Sequence, residues 1–340
     1  MNSKDNFINC LEHVATLMNQ SNEDLQDTII RSCNENGWYT PDEIHRMFQA
    51  ISTHYCDRTK LTPWLDKYPA TKTEQIKTVG LIAAGNIPLV AFHDILCILA
   101  YGYHCVIKLS EKDKALYIWL VNQINTFDPK LGEKISFVDR LKNYDAVIAT
   151  GSNLSANQFK YYFQHVPHLI RSHRNGIAIL HGDETEEDFI QLGKDILYYY
   201  GNGCRNVSKL YVPEGYNFSP LIKTIDANFS YVNEHTKFKN NYDYNFAICI
   251  MNQYKFLQGE TLLYCENSSI PSPIGIINFE YYKELSELIS SLEVHRNSIQ
   301  CTMSNAPIKN WPTITLGQSQ APSLDDFADG INTMEFLSKL

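Results

Sequence analysis

From Thr78 onward, short apolar runs alternate with stretches of helical spacing, and this alternation constrains the fold more than any other feature of the 340-residue chain. Runs at 79–83, 105–109, 135–138, 146–150 and 176–180 read as buried strands. Gly85-Asn86-Ile87-Pro88 leads into a helix to about Tyr101, which Gly102 ends. Ser110 and Asp113 read as a capping box before a helix to Asn125, and further helices are expected over 153–165 and from Asp183 to Tyr200. The pattern continues with a strand at 208–212, a helix at 219–225, a strand at 246–251, a helix at 280–292 and a strand at 298–303. Such alternation predicts an α/β protein with parallel, doubly wound sheets. Upstream, Phe7, Cys10, Leu11, Val14 and Leu17 fall on one helical face, a second helix is expected from Asn22 to Cys33, and Pro41 opens a third with Thr40 as cap. Pro63 and Pro69 punctuate the exit from this helical segment.

Composition bounds the function class. A formal net charge of -9 without an acidic run argues against nucleic acid as a partner. Nine cysteines, an odd number without regular spacing, read as reduced thiols of a cytoplasmic protein rather than a disulfide framework. No CxxC or paired Cys/His spacing points to a metal. Residues 1–9 carry Lys4 and Asp5 and no apolar core, unlike a secretory leader, and the longest apolar stretch is broken by His93 and Asp94, so no membrane span is expected.

One cysteine stands out. Gly201-Asn202-Gly203-Cys204-Arg205 puts a thiol on a glycine-hinged loop between a helix and a strand, with a cation beside it that would lower its pKa. A tight structural turn is the plain alternative. Neither GxGxxG nor GxxxxGK[ST] occurs at the first turn of the sheet. In their place, Gly85-Asn86-Ile87-Pro88, Lys108-Leu109-Ser110-Glu111 and Thr150-Gly151-Ser152 follow successive strands.

In order and placement these segments resemble the motifs of the aldehyde dehydrogenase superfamily. The stretch 167–176 and the tail Gly317-Gln318-Ser319-Gln320-Ala321-Pro322 are similar to its acyl-CoA reductase branch, whose best-known member reduces fatty acyl groups for bacterial bioluminescence. The resemblance covers roughly residues 75 to 340. It implies two doubly wound lobes, with a catalytic cleft between them, behind a helical N-terminal segment. Cys204 then matches the nucleophile and Asn86 the asparagine whose amide, with the Cys204 N–H, holds the oxyanion. Lys108, Ser110 and Glu111 match positions that bind the adenosine ribose of a nicotinamide cofactor, and Gly151 and Ser152 the turn near its pyrophosphate. The branch implies NADPH, with NADH the alternative, because Glu111 suits free ribose hydroxyls while Lys112 suits a 2′-phosphate.

Two departures inform the chemistry. Hydrolytic members carry a glutamate in the segment that opens the strand at 176, whereas 171–176 here holds no carboxylate, which favours reduction of an acyl thioester unless Asp183 or Glu184 folds back to the thiol. The motif that holds the nicotinamide ribose is altered to Ser269-Ile270-Pro271-Ser272-Pro273, with Glu266 upstream. Arg171, His173 and Arg174 are candidates for CoA phosphates, or His173 for donating a proton to the departing alkoxide.

The expected organisation is a helical segment at 1–70, a cofactor-binding α/β domain at 71–200, a catalytic domain at 201–315 and a tail at 316–340 packing back on the cofactor domain. The expected activity is NADPH-dependent reduction of an acyl-CoA or acylated protein to an aldehyde. Aldehyde oxidation and a non-catalytic acyl-binding role are the alternatives, and homo-oligomers or an acyl-transfer partner enzyme the expected associations.

Overall fold

The computed structural model describes residues 3–68, 76–151 and 153–340. Contacts divide the chain into two units, Met1–His173 with Pro322–Leu340, and Arg174–Ala321.

The first unit opens with helices α1 (Ser3–Met18), α2 (Glu23–Glu35), α3 (Pro41–His54) and α4 (Arg58–Lys67). Asn22 and Thr40 cap α2 and α3 by accepting the N–H of Leu25 and Glu43. Pro63 lies inside α4 rather than ending the helical segment, and Pro69 lies outside the described residues. Then come β1 (Thr78–Ile82), α5 (Phe92–Ala100), β2 (His104–Lys108), α6 (Ala115–Phe127), α7 (Pro129–Gly132), β3 (Ile135–Phe137), β4 (Ala146–Thr150), α8 (Asn153–Tyr162) and β5 (His168–Arg171). Among the described residues the strands form a parallel sheet in the order β3-β2-β1-β4-β5, which is doubly wound. β5 was not anticipated.

Period-two alternation explains how this sheet is covered. Val79, Leu81 and Ile148 join the core built by α1 to α6, while Ile82, Val147 and Ala149 pack on the other face with Phe159 and Phe163 of α8 and its following turn. The N-terminal helices thus share one hydrophobic core with the sheet, and Leu324, Phe327, Met334 and Leu337 of the tail belong to the same core.

Two local expectations fail here. α5 starts at Phe92 rather than directly after Gly85-Asn86-Ile87-Pro88; the chain turns first, with Leu89 at φ +48°. Ser110 and Asp113 make no capping box. The Asp113 carboxylate instead accepts the Leu89 N–H at 2.9 Å, while Glu35 of α2 accepts the N–H groups of Lys114 and Ala115 that open α6.

The second unit contains β6 (Asn175–Ile179), α9 (Glu186–Leu197), β7 (Val207–Pro213), α10 (Ser219–Phe229), α11 (Thr236–Met251), β8 (Phe256–Gln258), β9 (Leu263–Glu266), β10 (Ile276–Tyr282), α12 (Leu285–Val294) and β11 (Ile299–Met303). The described strands pair in the order β11-β6-β7-β10-β9-β8, parallel except for the antiparallel edge strand β8. The unit boundary falls at His173, and not near residue 200, because β6 pairs with β7 and β11.

Residues 246–251 are the end of α11, not a strand. Phe238, Tyr242, Asn245 and Cys249 form its buried stripe at helical spacing, leaving the β-branched Ile250 57% exposed. Residues 280–282 belong to β10, and the following helix begins only at Leu285. Among the described residues no helix is long and apolar enough to cross a membrane.

Candidate functional site

Cys204 lies on the turn between α9 and β7 in the second unit. Among the described residues none of the nine cysteines forms a disulfide, and only Cys204 and Cys33 are not buried. Burial pushes the Cys10 and Cys265 thiols up to about 12 and those of Cys56, Cys97 and Cys105 well above their ordinary value, so these are inert packing groups.

The turn is reached through three successive left-handed residues, Tyr199 (φ 54°), Tyr200 (φ 54°) and Gly201 (φ 74°). Two of them are not glycine, a conformation that costs about 1–3 kcal/mol each and needs support from its surroundings. Asn206 supplies it. Its amide donates to the carbonyls of Asp195 (3.0 Å), Ile196 (3.2 Å) and Tyr198 (2.9 Å) at the end of α9, and its oxygen accepts the Gly203 N–H at 2.8 Å. From β6, the Gly176 N–H donates to the Asn206 carbonyl. The main chain on both sides of Cys204 is thereby pinned.

Arg205 is not the free cation expected beside the thiol. It is buried, its Nε donates to the Ser319 carbonyl, and its charge partly opposes the rise that burial imposes on the carboxyl pKa of Asp195. Nor does a carboxylate fold back to Cys204 from 183–184. The Cys204 turn adjoins the start of β6, whereas Asp183 and Glu184 follow its end, about 17 Å along a five-residue strand. There Glu184 accepts the His181 and Gly182 N–H groups, and Asp183 accepts from Asn305.

In the first unit the structure gathers most of the expected cofactor residues at the carboxyl ends of three neighbouring strands. Gly85 and Asn86 follow β1, Lys108 ends β2 with Ser110 and Glu111 beyond it, and Gly151 follows β4. In an open sheet of this order, the step from β1 to β4 is the switch point where ligands bind. The two loops touch: a Cβ on Gly85 would stand 2.6 Å from the Ser110 hydroxyl. Lys108 is exposed, Glu111 is exposed and pairs with Lys114 at 2.6 Å, and Gly151 packs on Ser155. Ser152 lies outside the described residues. The Asn86 loop is held from behind by Asn36, which donates to the Gly85 carbonyl, by Asp113 at Leu89, and by the Tyr117 hydroxyl, which accepts the Ala91 N–H at 2.9 Å.

Arg171 is excluded from CoA binding. It is 3% exposed and makes a two-pronged ion pair with Asp94 of α5, at 2.6 and 2.9 Å, with a third bond to Thr333 in the tail. Glu266 ends β9 and lies 3.9 Å from the exposed Lys255. The loop after it is tied down by Lys209 at the Asn267 carbonyl and by Asn278 at the carbonyls of Ser269 and Pro271. Among the described residues no group of three His, Cys, Asp or Glu side chains could hold a metal. Asn206, Asp195 and Gly176 were not singled out from the sequence: each acts through main-chain partners, which residue spacing does not reveal.

No protein-family model matches the sequence, and no curated protein matches it. Solved structures do match the fold. Aldehyde dehydrogenase 21 from Physcomitrella patens, solved with succinate, superposes with a TM-score of 0.70 at 13% identity over 98% of this chain and 84% of its own. A putative aldehyde dehydrogenase from Burkholderia cenocepacia gives 0.68 at 11% identity, over 91% and 76% of the two chains. Betaine aldehyde dehydrogenase from Staphylococcus aureus, solved with NAD+, gives 0.62 at 13% identity over 89% and 72%. The chain has an aldehyde-dehydrogenase-like fold.

Proposed function

We propose that this protein is a nicotinamide-dependent oxidoreductase that reduces an acyl thioester, from CoA or an acylated protein, to an aldehyde through an acyl-Cys204 intermediate. The observation that carries this reading is the pinned turn that presents a half-buried Cys204 beside the carboxylate-free start of β6. The Cys204 thiolate attacks the acyl carbonyl carbon, the donor's C–S bond breaks, and the acyl group stays on the enzyme. The Cys204 N–H and the Asn86 amide are the donors assigned to the oxyanion, each worth about 10²–10³ in rate. The first unit would bind the cofactor and the second supply the nucleophile. Lys108, Ser110, Glu111, Gly151 and Ser152 are assigned to the cofactor, and the clustering of the described ones at the switch point fits a dinucleotide. NADPH is assigned from the resemblance to the acyl-CoA reductase branch, with Lys112 to meet a 2′-phosphate and NADH the alternative that Glu111 would suit. A bound reduced nicotinamide would supply hydride to the thioester carbonyl.

With no carboxylate in residues 171–176 to activate water, the acyl group waits for reduction rather than hydrolysis. Intact-protein mass spectrometry after mixing with a panel of acyl-CoAs, without cofactor, tests the reading. A gain of one acyl group on wild type but not on Cys204→Ala, released as aldehyde on adding NADPH, is the expected result. No adduct from any donor would overturn it, and acid production from an aldehyde would instead favour oxidation.

A further inference from the structure

The tail segment Gly317-Gln318-Ser319 meets the Cys204 turn through a buried carboxylate. Asp195 of α9 is 1% exposed, and its two oxygens accept the N–H groups of Gly317 (2.6 Å) and Ser319 (2.9 Å). Gly317 has φ +83°, and a Cβ there would stand 2.2 Å from the Gln191 side chain, so the segment approaches α9 as bare backbone. Arg205 closes the arrangement by donating from Nε to the Ser319 carbonyl, while its charge faces Asp195. Burial raises the Asp195 pKa, opposed by these hydrogen bonds and by Arg205. The carbonyls of Asp195 and of the next residue, Ile196, are two of the three that Asn206 caps. The brace therefore grips the chain at Arg205, one residue from the thiol, and again at α9 through Asn206.

We propose that Asp195, Arg205 and the turn at 317–319 are positioning elements for Cys204, fixing the main chain at 204–206 so that the thiol and its own N–H keep one orientation toward an acyl carbonyl. This rests on the reading of Cys204 as the nucleophile. Arg205 then serves through the hydrogen bond from its Nε to the Ser319 carbonyl, not through its charge alone.

The test compares wild type, Asp195→Asn and Arg205→Lys by two readouts, acylation of Cys204 from acyl-CoA and alkylation of Cys204 by iodoacetamide across pH, both followed on the Cys204 peptide. Displacing a reacting group by about 1 Å costs roughly 10² in rate, so both variants are expected to lose acylation by about that factor. Their limiting alkylation rate, which makes no demand on acyl geometry, should stay within about threefold. Asp94→Asn serves as a destabilised control whose acylation rate is expected to hold. Wild-type acylation rates in folded Asp195→Asn would overturn the positioning role alone, whereas failure of wild type to acylate would overturn the nucleophile reading beneath it. If Asp195→Asn does not fold, Arg205→Lys decides: retained acylation with only the cation preserved would assign Arg205 an electrostatic role instead.

Discussion

The Gly176 N–H donates to the Asn206 carbonyl at 3.0 Å, and a Cβ on Gly176 would stand 2.8 Å from that same oxygen and 2.6 Å from the Arg205 carbonyl. Both clashes are with main chain, which cannot rotate away. Gly176→Ala should therefore push the Cys204 turn from β6, destabilise the protein by about 1–3 kcal/mol and slow acylation more than tenfold. Gly80→Ala is the contrast, because its Cβ would meet the Leu141 side chain at 3.0 Å, which can give. Thermal melts and acylation rates of the two variants check this; equal losses would contradict it.

Asn206 satisfies two α9 carbonyls, the Tyr198 carbonyl just beyond the helix and one turn N–H at once. Asn206→Ala leaves these groups without it, and each unsatisfied buried group costs about 1–3 kcal/mol. A loss of about 3 kcal/mol or more in urea unfolding is expected. Asn206→Asp should fare no better, since a carboxylate oxygen would face the carbonyls where the amide now donates. Recovery of wild-type stability in Asn206→Asp would show that shape alone is enough.

The first sheet was legible because its central strands are short, apolar and bounded by polar turns; β4 runs over 146–150 as its pattern predicts. Residues 246–251 misled for the opposite reason. A run of Phe, Ile and Met is strand-like by propensity, and only the stripe from Phe238 to Cys249 reveals the helix. β10 was missed because Asn278 and Glu280 interrupt its apolar pattern, and both have tertiary partners, the carbonyls of Ser269 and Pro271 and the buried Lys209. At the candidate site, the order of motifs placed Asn86 and Lys108 at strand ends, but Arg205 and Arg171 looked like available cations. Their buried partners, Asp195 and Asp94, lie 10 and 77 residues away in the chain.

Asp94→Ala should strand the Arg171 guanidinium in the core of the first unit. Breaking one partner of a buried pair costs about 3–5 kcal/mol, and the Thr333 hydroxyl can offset only part of it. The same geometry predicts that any Arg171 variant that folds keeps the wild-type KM for an acyl-CoA. A large rise in that KM without loss of melting temperature would return Arg171 to the list of phosphate ligands.

Asp113 makes stability fall as pH rises. Its carboxyl is fully buried, and burial pushes its pKa up to about 8 despite the hydrogen bond from the Leu89 N–H, with the charge of Glu35 adding to the rise. Between the ordinary carboxylate range near 4 and about 8, the folded protein keeps a proton that the unfolded chain has released. The unfolding free energy then declines by about 1.4 kcal/mol per pH unit on account of this group alone. Below pH 4 its contribution is complete, and above pH 8 it is lost. Asp113→Asn keeps a neutral acceptor for the Leu89 N–H and has nothing to titrate. The variant should match wild type near pH 4, exceed it by about 1.4 kcal/mol already at pH 5, and gain steadily on it up to pH 8. Urea titrations at pH 5, 6, 7 and 8 measure that difference, and parallel curves would mean that Asp113 is already ionised in the fold at pH 5.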